Sequence, residues 1–213
     1  MPPERIVILG QSLGTAVASA VGLHFADAAS EALPSKVMDT FAIDKSKQSQ
    51  TTFAGIVLVA PFSSLPSLLL TYRMGGILPI LGPLRYVPYI YDLLTSQLAD
   101  TWFTARRLKA YCTALQGSNK LSSGYADPDG GYSSLRDMGS VQIVHAKNDA
   151  DIPWRQTRMI LSEIEGSSYN NTETVEDVSG QIMQLKGKKS PRVRAEIVGY
   201  GGKQDLADEP IQY

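Results

Sequence analysis

The segment that most restricts the fold of this chain is a strand, a glycine-flanked serine and a helix in direct succession. Arg5 to Leu9 (Arg-Ile-Val-Ile-Leu) is a short β-branched run that reads as a buried parallel strand. Gly10-Gln11-Ser12-Leu13-Gly14 follows at once. From Ser12 to about Ala29, Val17, Ala20, Val21, His24 and Phe25 recur at helical spacing. A serine at so sharp a corner must take a strained backbone conformation, and small residues two positions to either side let strand and helix approach without side-chain clashes. Gly10 and Gly14 hold those positions. The Ser12 hydroxyl then stands exposed above the sheet, and the Leu13 amide, at the helix start, is placed to donate to an oxyanion. One such donor is worth about 3 kcal/mol of transition-state stabilisation.

Further strands are predicted over Phe53–Ala60, Val141–His145 and Arg192–Val198, and the clearest helix over Trp154–Glu165, with Pro153 near its first turn. Strand and helix alternate, so the expected fold class is α/β: a mostly parallel sheet with helices on both faces. The polar stretches Lys45–Thr52, Gly117–Tyr132 and Gly166–Lys189 read as surface loops or frayed helical segments. With 213 residues and no internal repeat, one domain spanning 1–213 is expected. It carries an insertion at about 61–115. From Phe62 to Tyr91 this insertion bears only two charges, Arg73 and Arg85, around an apolar centre broken by glycine and proline. It reads either as a segment packed over the sheet or as a lid lining an apolar acyl-chain site.

Composition excludes several classes. A net charge of −1 gives no general attraction to nucleic acid or an anionic membrane. The single cysteine, Cys112, allows no internal disulfide and no cysteine-rich zinc site. Neither a metal nor a cofactor is expected. No stretch reaches the roughly 20 apolar residues of a spanning helix, and Met1 to Glu4 leave no room for a signal peptide.

The run Ile-Leu-Gly-Gln-Ser-Leu-Gly-Thr-Ala-Val-Ala resembles α/β-hydrolases of the lysophospholipase and monoacylglycerol-lipase type, most of all the membrane-anchored lysophosphatidylserine lipases. The resemblance continues through Leu58-Val-Ala-Pro-Phe-Ser-Ser64, Asp100-Thr-Trp102, Val144-His-Ala-Lys-Asn-Asp-Ala-Asp-Ile-Pro153 and Gly199-Tyr-Gly-Gly-Lys-Gln-Asp205. It implies a partial α/β-hydrolase fold and the order nucleophile, acid, base. Ser12 is then the nucleophile, Leu13 an oxyanion donor, and Asp149, four residues before Pro153, the acid. Asp151 is the rival carboxylate. His145 and His24 read as structural histidines, one at a strand end and one in the first helix. The implied substrate is a lipid-like ester, a monoacylglycerol or lysophospholipid. The resemblance also implies association with the endoplasmic reticulum membrane, here through peripheral contact by the insertion, and it leaves the oligomeric state open.

Two departures qualify these expectations. Where the family has histidine, in a loop after the last strand, this chain has Lys203. An imidazole with a pKa of about 6.5 can accept and return the serine proton at neutral pH, whereas a lysine amine of about 10.4 is already protonated. The family also places about four strands ahead of the nucleophile corner, where the sequence has only Met1 to Glu4. A chain truncated at its N-terminus is therefore expected, with one edge of the Ser12 strand bare. Two functions follow: a serine ester hydrolase of lipase or esterase type, or a non-catalytic remnant that keeps the fold as a binding module. A proline-aminopeptidase-like peptidase shares the corner, but the apolar insertion speaks against it.

Overall fold

The computed structural model describes residues 1–33, 50–71, 73–74, 78–79, 89, 101–118, 138–168, 172–177, 180–185 and 192–199. Strand β1 (Val7–Gln11) leads through Ser12 into helix α1 (Gly14–Ala26), and β2 (Gly55–Val59) is followed by α2 (Leu65–Thr71). A two-residue antiparallel pair, β3 (Arg73–Met74) and β4 (Leu78–Pro79), lies in the insertion. Then come α3 (Thr104–Ser118), β5 (Ser140–Ala146), α4 (Arg155–Ser168), β6 (Thr172–Asp177), β7 (Gly180–Leu185) and β8 (Val193–Val198). The fold is α/β, built on a mixed sheet ordered β1-β2-β5-β8-β7-β6. β1, β2, β5 and β8 run parallel, while β7 and β6 are antiparallel.

Register fixes which side chains form the core. Ile56, Val141 and Val193 lie side by side across three strands, as do Leu58, Ile143 and Ala195. All six are buried, together with Leu23, Leu108, Tyr111, Ile160 and Ile164 from α1, α3 and α4. In a parallel sheet whose strands are added in one direction, right-handed crossovers carry successive helices to the same side. α1, α3 and α4 accordingly form one layer, α3 packing against both of the others. The opposite sheet face shows exposed Val7 and Leu9 beside half-buried Val57 and Val59.

Two expectations need correction, and α1 adds a finding of its own. The chain from Gly166 to Lys189 is not simply a loop, because it contains the β6–β7 hairpin. Its charged outer strand (Thr-Glu-Thr-Val-Glu-Asp) lacks apolar alternation, as suits an edge strand that must not recruit another; Met183 on the inner strand is buried beside Ala195. The first strand begins two residues late, since Pro3–Arg5 forms a 3₁₀ turn. In α1 the larger apolar residues do not face the core. Val17, Val21 and Phe25 are exposed, and the helix buries Thr15, Ala16, Ala18, Ser19, Gly22, Leu23 and Ala26 instead. That small-residue face lets the helix lie close on the sheet, and a Cβ on Gly22 would run into the Ile56 side chain.

The two glycines of the corner differ in the same respect. A Cβ at Gly10 would stand 2.5 Å from the Gly14 carbonyl oxygen and 2.8 Å from Ala18 Cβ, whereas one at Gly14 would meet nothing within 4 Å. The close approach predicted for both positions is needed only at the first. Gly14→Ala is expected to leave stability unchanged or raise it by about 0.5–1 kcal/mol, the helix-interior preference for alanine over glycine. Gly10→Ala should lower it by about 2 kcal/mol or more, since backbone must move. Urea denaturation of both variants checks the difference.

Candidate active site

Ser12 sits between β1 and α1 with φ of +49°, a left-handed conformation that residues other than glycine seldom adopt. The strain is held in place from both directions. The Ser12 N–H donates to Val59 O at 2.9 Å, tying the corner to β2, and the Ser12 carbonyl accepts from Thr15 N–H at 3.0 Å and from the Thr15 hydroxyl at 2.6 Å. Thr15 is fully buried. The Ser12 residue itself is exposed, and its hydroxyl makes no hydrogen bond among the described residues. Leu13 has helical dihedrals at the N-cap of α1, where no side chain caps the helix. Its N–H donates to no backbone acceptor among the described residues, so the orphan donors of the helix start remain on the serine side.

The next parallel strand ends in the same way. Ala60 follows β2 with φ of +49°, and its N–H donates to Val144 O at 2.8 Å. Two adjacent strands thus close on left-handed residues at one end of the sheet, a feature with no sequence signal because alanine gives no hint of positive φ. Beyond Ala60, Ser63 is buried and its N–H and hydroxyl both donate to Gln156 Oε1, at 3.0 and 2.6 Å. This pair fastens the start of the insertion to α4. It was not legible in the sequence: Ser63 stands in the Leu58–Ser64 run and Gln156 in the predicted helix, but nothing local pairs them.

Asp149 lies in the loop after β5, half-buried, at the same end of the sheet. Its Oδ1 accepts from Asp151 N–H at 3.0 Å and Ile152 N–H at 2.9 Å, which fixes the carboxylate on its own turn. Asp151 is exposed and contributes only its backbone to this turn. β1 and β5 are separated by β2, two strand spacings or roughly 10 Å, so a further side chain must span the gap for Ser12 and Asp149 to act together. Ala16 of α1, Phe62 after β2 and Ile152 of the Asp149 loop form one buried apolar cluster beneath this end, with Leu65, Leu68 and Trp102 packed against it. The two loops that carry the expected nucleophile and acid are therefore joined through their neighbours. Lys203 and any contact it makes lie outside the described residues, as do 80–88 and 90–100 of the insertion and the Leu78 side chain.

The two histidines are placed differently. His24 is half-buried in α1, edge-on to Phe25 with ring centroids 5.6 Å apart, and its Nδ1 has no partner among the described residues. His145, at the end of β5, is buried. Its Nδ1 lies 2.7 Å from the Thr157 hydroxyl and its Nε2 2.7 Å from the Ile152 carbonyl oxygen. Burial lowers its pKa from the ordinary imidazole value, against smaller opposing effects from the Ile152 carbonyl and the Asp149 charge. Among the described residues no three potential metal ligands converge, and no helix is long and apolar enough to cross a membrane.

Compared with known proteins, the chain matches no family model and no curated sequence.

The His145 shift has a direct consequence for stability. A histidine whose folded pKa is lowered leaves the unfolded state holding more protons below the ordinary value of about 6.5. Its contribution is complete above that pH and is lost as the pH falls from there toward the folded value. His145→Gln removes the titration. The variant is expected to be less stable at pH 7.5, but its stability should fall less steeply than the parent's between pH 6.5 and 5, as urea titrations at each pH would record.

Proposed function

We propose that this chain carries the nucleophile and acid of a serine ester hydrolase acting on lipid-like esters such as monoacylglycerols or lysophospholipids. The observation that carries the reading is the exposed Ser12, held in a left-handed conformation between a strand and a helix N-terminus. Such strain on a non-glycine residue persists only where the surrounding structure enforces it, and it gathers at catalytic corners. The Leu13 N–H supplies an oxyanion donor, and Leu65, Leu68 and Trp102 provide apolar surface close to α1 for an acyl chain.

In this reading Ser12 Oγ attacks the ester carbonyl carbon while its proton passes to a base. The oxyanion collapses, the alcohol leaves with a proton, and water releases the acid from the acyl-serine. Asp149 orients and stabilises the base. The base is the weak element, because the position implied for it by resemblance holds Lys203. A protonated lysine cannot accept the serine proton, so acylation is slow.

A second reading, a binding module that retains the fold without turnover, is favoured by that same lysine. A fluorophosphonate probe separates the two. Labelling of the unmodified chain should be slow but abolished by Ser12→Ala, and Lys203→His should accelerate it about 10-fold, below the 10²–10⁴ of a complete general base. p-Nitrophenyl esters should be hydrolysed at near-background rates by the unmodified chain. If neither chain shows Ser12-dependent labelling while a fluorescent fatty-acid analogue still binds, the hydrolase reading fails and the binding module stands.

A further inference from the structure

Ile152 is held from three directions. Its N–H, with that of Asp151, fixes Asp149 Oδ1. Its side chain, 6% exposed, lies in the buried cluster with Ala16, one turn into the helix that begins at the Ser12 corner. Its carbonyl oxygen accepts a hydrogen bond from His145. A carbonyl can only accept, so His145 Nε2 carries the proton and Nδ1 accepts from the Thr157 hydroxyl. One neutral tautomer satisfies both contacts. Asp149 Oδ2 lies 3.9 Å from Nε2, beyond hydrogen-bond reach, so the ring does not hold the carboxylate directly. What it holds is the residue whose N–H does, by the carbonyl on that residue's other side.

We propose that His145 is the positioning residue for the Asp149 carboxylate: through the Ile152 carbonyl it locks the turn that aims the acid, and Thr157 locks the ring. The role of Asp149 as acid rests on the function proposed above, whereas the lock itself is a property of the loop. Thr157 is fully buried in α4, so the chain of contacts runs from a rigid helix, through a buried ring, to the loop. Freed from the ring, the Ile152 carbonyl can swing about the Ile152 backbone dihedrals, and the residue can shift its N–H, in the preceding peptide plane, away from Asp149. A displacement of about 1 Å at a catalytic group can cost 100-fold in rate.

Thr157→Val keeps the volume and removes the hydroxyl that orients the ring; Thr157→Ser restores it. In the full-length chain, amide exchange followed by NMR should quicken at least 10-fold at Asp151 and Ile152 in Thr157→Val, with the central amides of β2 and β5 unchanged. Thr157→Ser should return both rates to the parent values. Fluorophosphonate labelling of Ser12, measured on the same samples, should slow several-fold in Thr157→Val and recover in Thr157→Ser. Unchanged exchange at Ile152, or a rise shared equally by the whole sheet, would overturn the proposal and leave His145 an ordinary core residue. A local rise at Ile152 with no Ser12 labelling in any variant would uphold the lock and count against the hydrolase function.

Discussion

Everything at the candidate site depends on how closely α1 lies on β1 and β2. The approach is possible because the inward face of α1 is made of alanine, serine, threonine and glycine, with Leu23 its one large side chain. Gly10 on the strand and Gly22 on the helix are the two points where a methyl group would not fit. With the helix held that close, the link between strand and helix has no length to spare, and Ser12 must take up the turn in a left-handed conformation. Dispersion between closely packed backbones and the buried Thr15 hydroxyl, bonded to the Ser12 carbonyl, offset a strain of about 1–3 kcal/mol. The exposure of the serine is thus a consequence of packing several residues away.

The same packing leaves the larger apolar side chains of α1 outside. Leu13, Val17, Val21 and Phe25 are exposed at intervals of four along α1, and Val7 and Leu9 of β1 are exposed on the opposite face of the sheet. Among the described residues β1 pairs only with β2. The two edges of the sheet contrast. The far edge strand carries Glu173, Glu176 and Asp177, whereas the β1 edge carries no charged residue between Val7 and Gln11. Charge on an edge discourages pairing with other chains, and its lack leaves the β1 edge open to such pairing.

At the Asp149 loop, polar contacts do what close packing does at Ser12. The Asp149 turn is short and half-exposed, and apolar burial alone would not fix its carboxylate. Its geometry is set by hydrogen bonds that run inward to a buried imidazole and a buried threonine. Buried polar groups of this kind are costly if left unsatisfied, and here each has its partner, so the network favours one arrangement. The buried Ser63–Gln156 pair serves in the same way to fasten the start of the insertion to α4.

The α/β class, the four parallel strands and the Ser12 corner were legible in the sequence, because β-branched runs and glycine spacing are local signals that need no knowledge of distant contacts. Asp149 could be singled out only through resemblance, as nothing in its own neighbourhood distinguishes it from Asp151. The sequence was silent or misleading where contacts between distant segments decide. The apolar spacing of α1 marked a helix but not its buried face, which close approach at Gly10 and Gly22 made the small-residue one. The charged Thr172–Asp177 segment read as a loop, yet pairing with β7 made it a strand, since a ladder at a sheet edge needs backbone partners more than apolar side chains. His145 read as a structural strand-end histidine, and its sequence position could not show that Thr157 and Ile152 would meet its two nitrogens. Sequence by itself determined which residues could form the strand-to-helix corner. Tertiary structure decided which of them are strained, exposed or held, because strain, exposure and hydrogen bonding arise only when segments far apart in the chain are brought together.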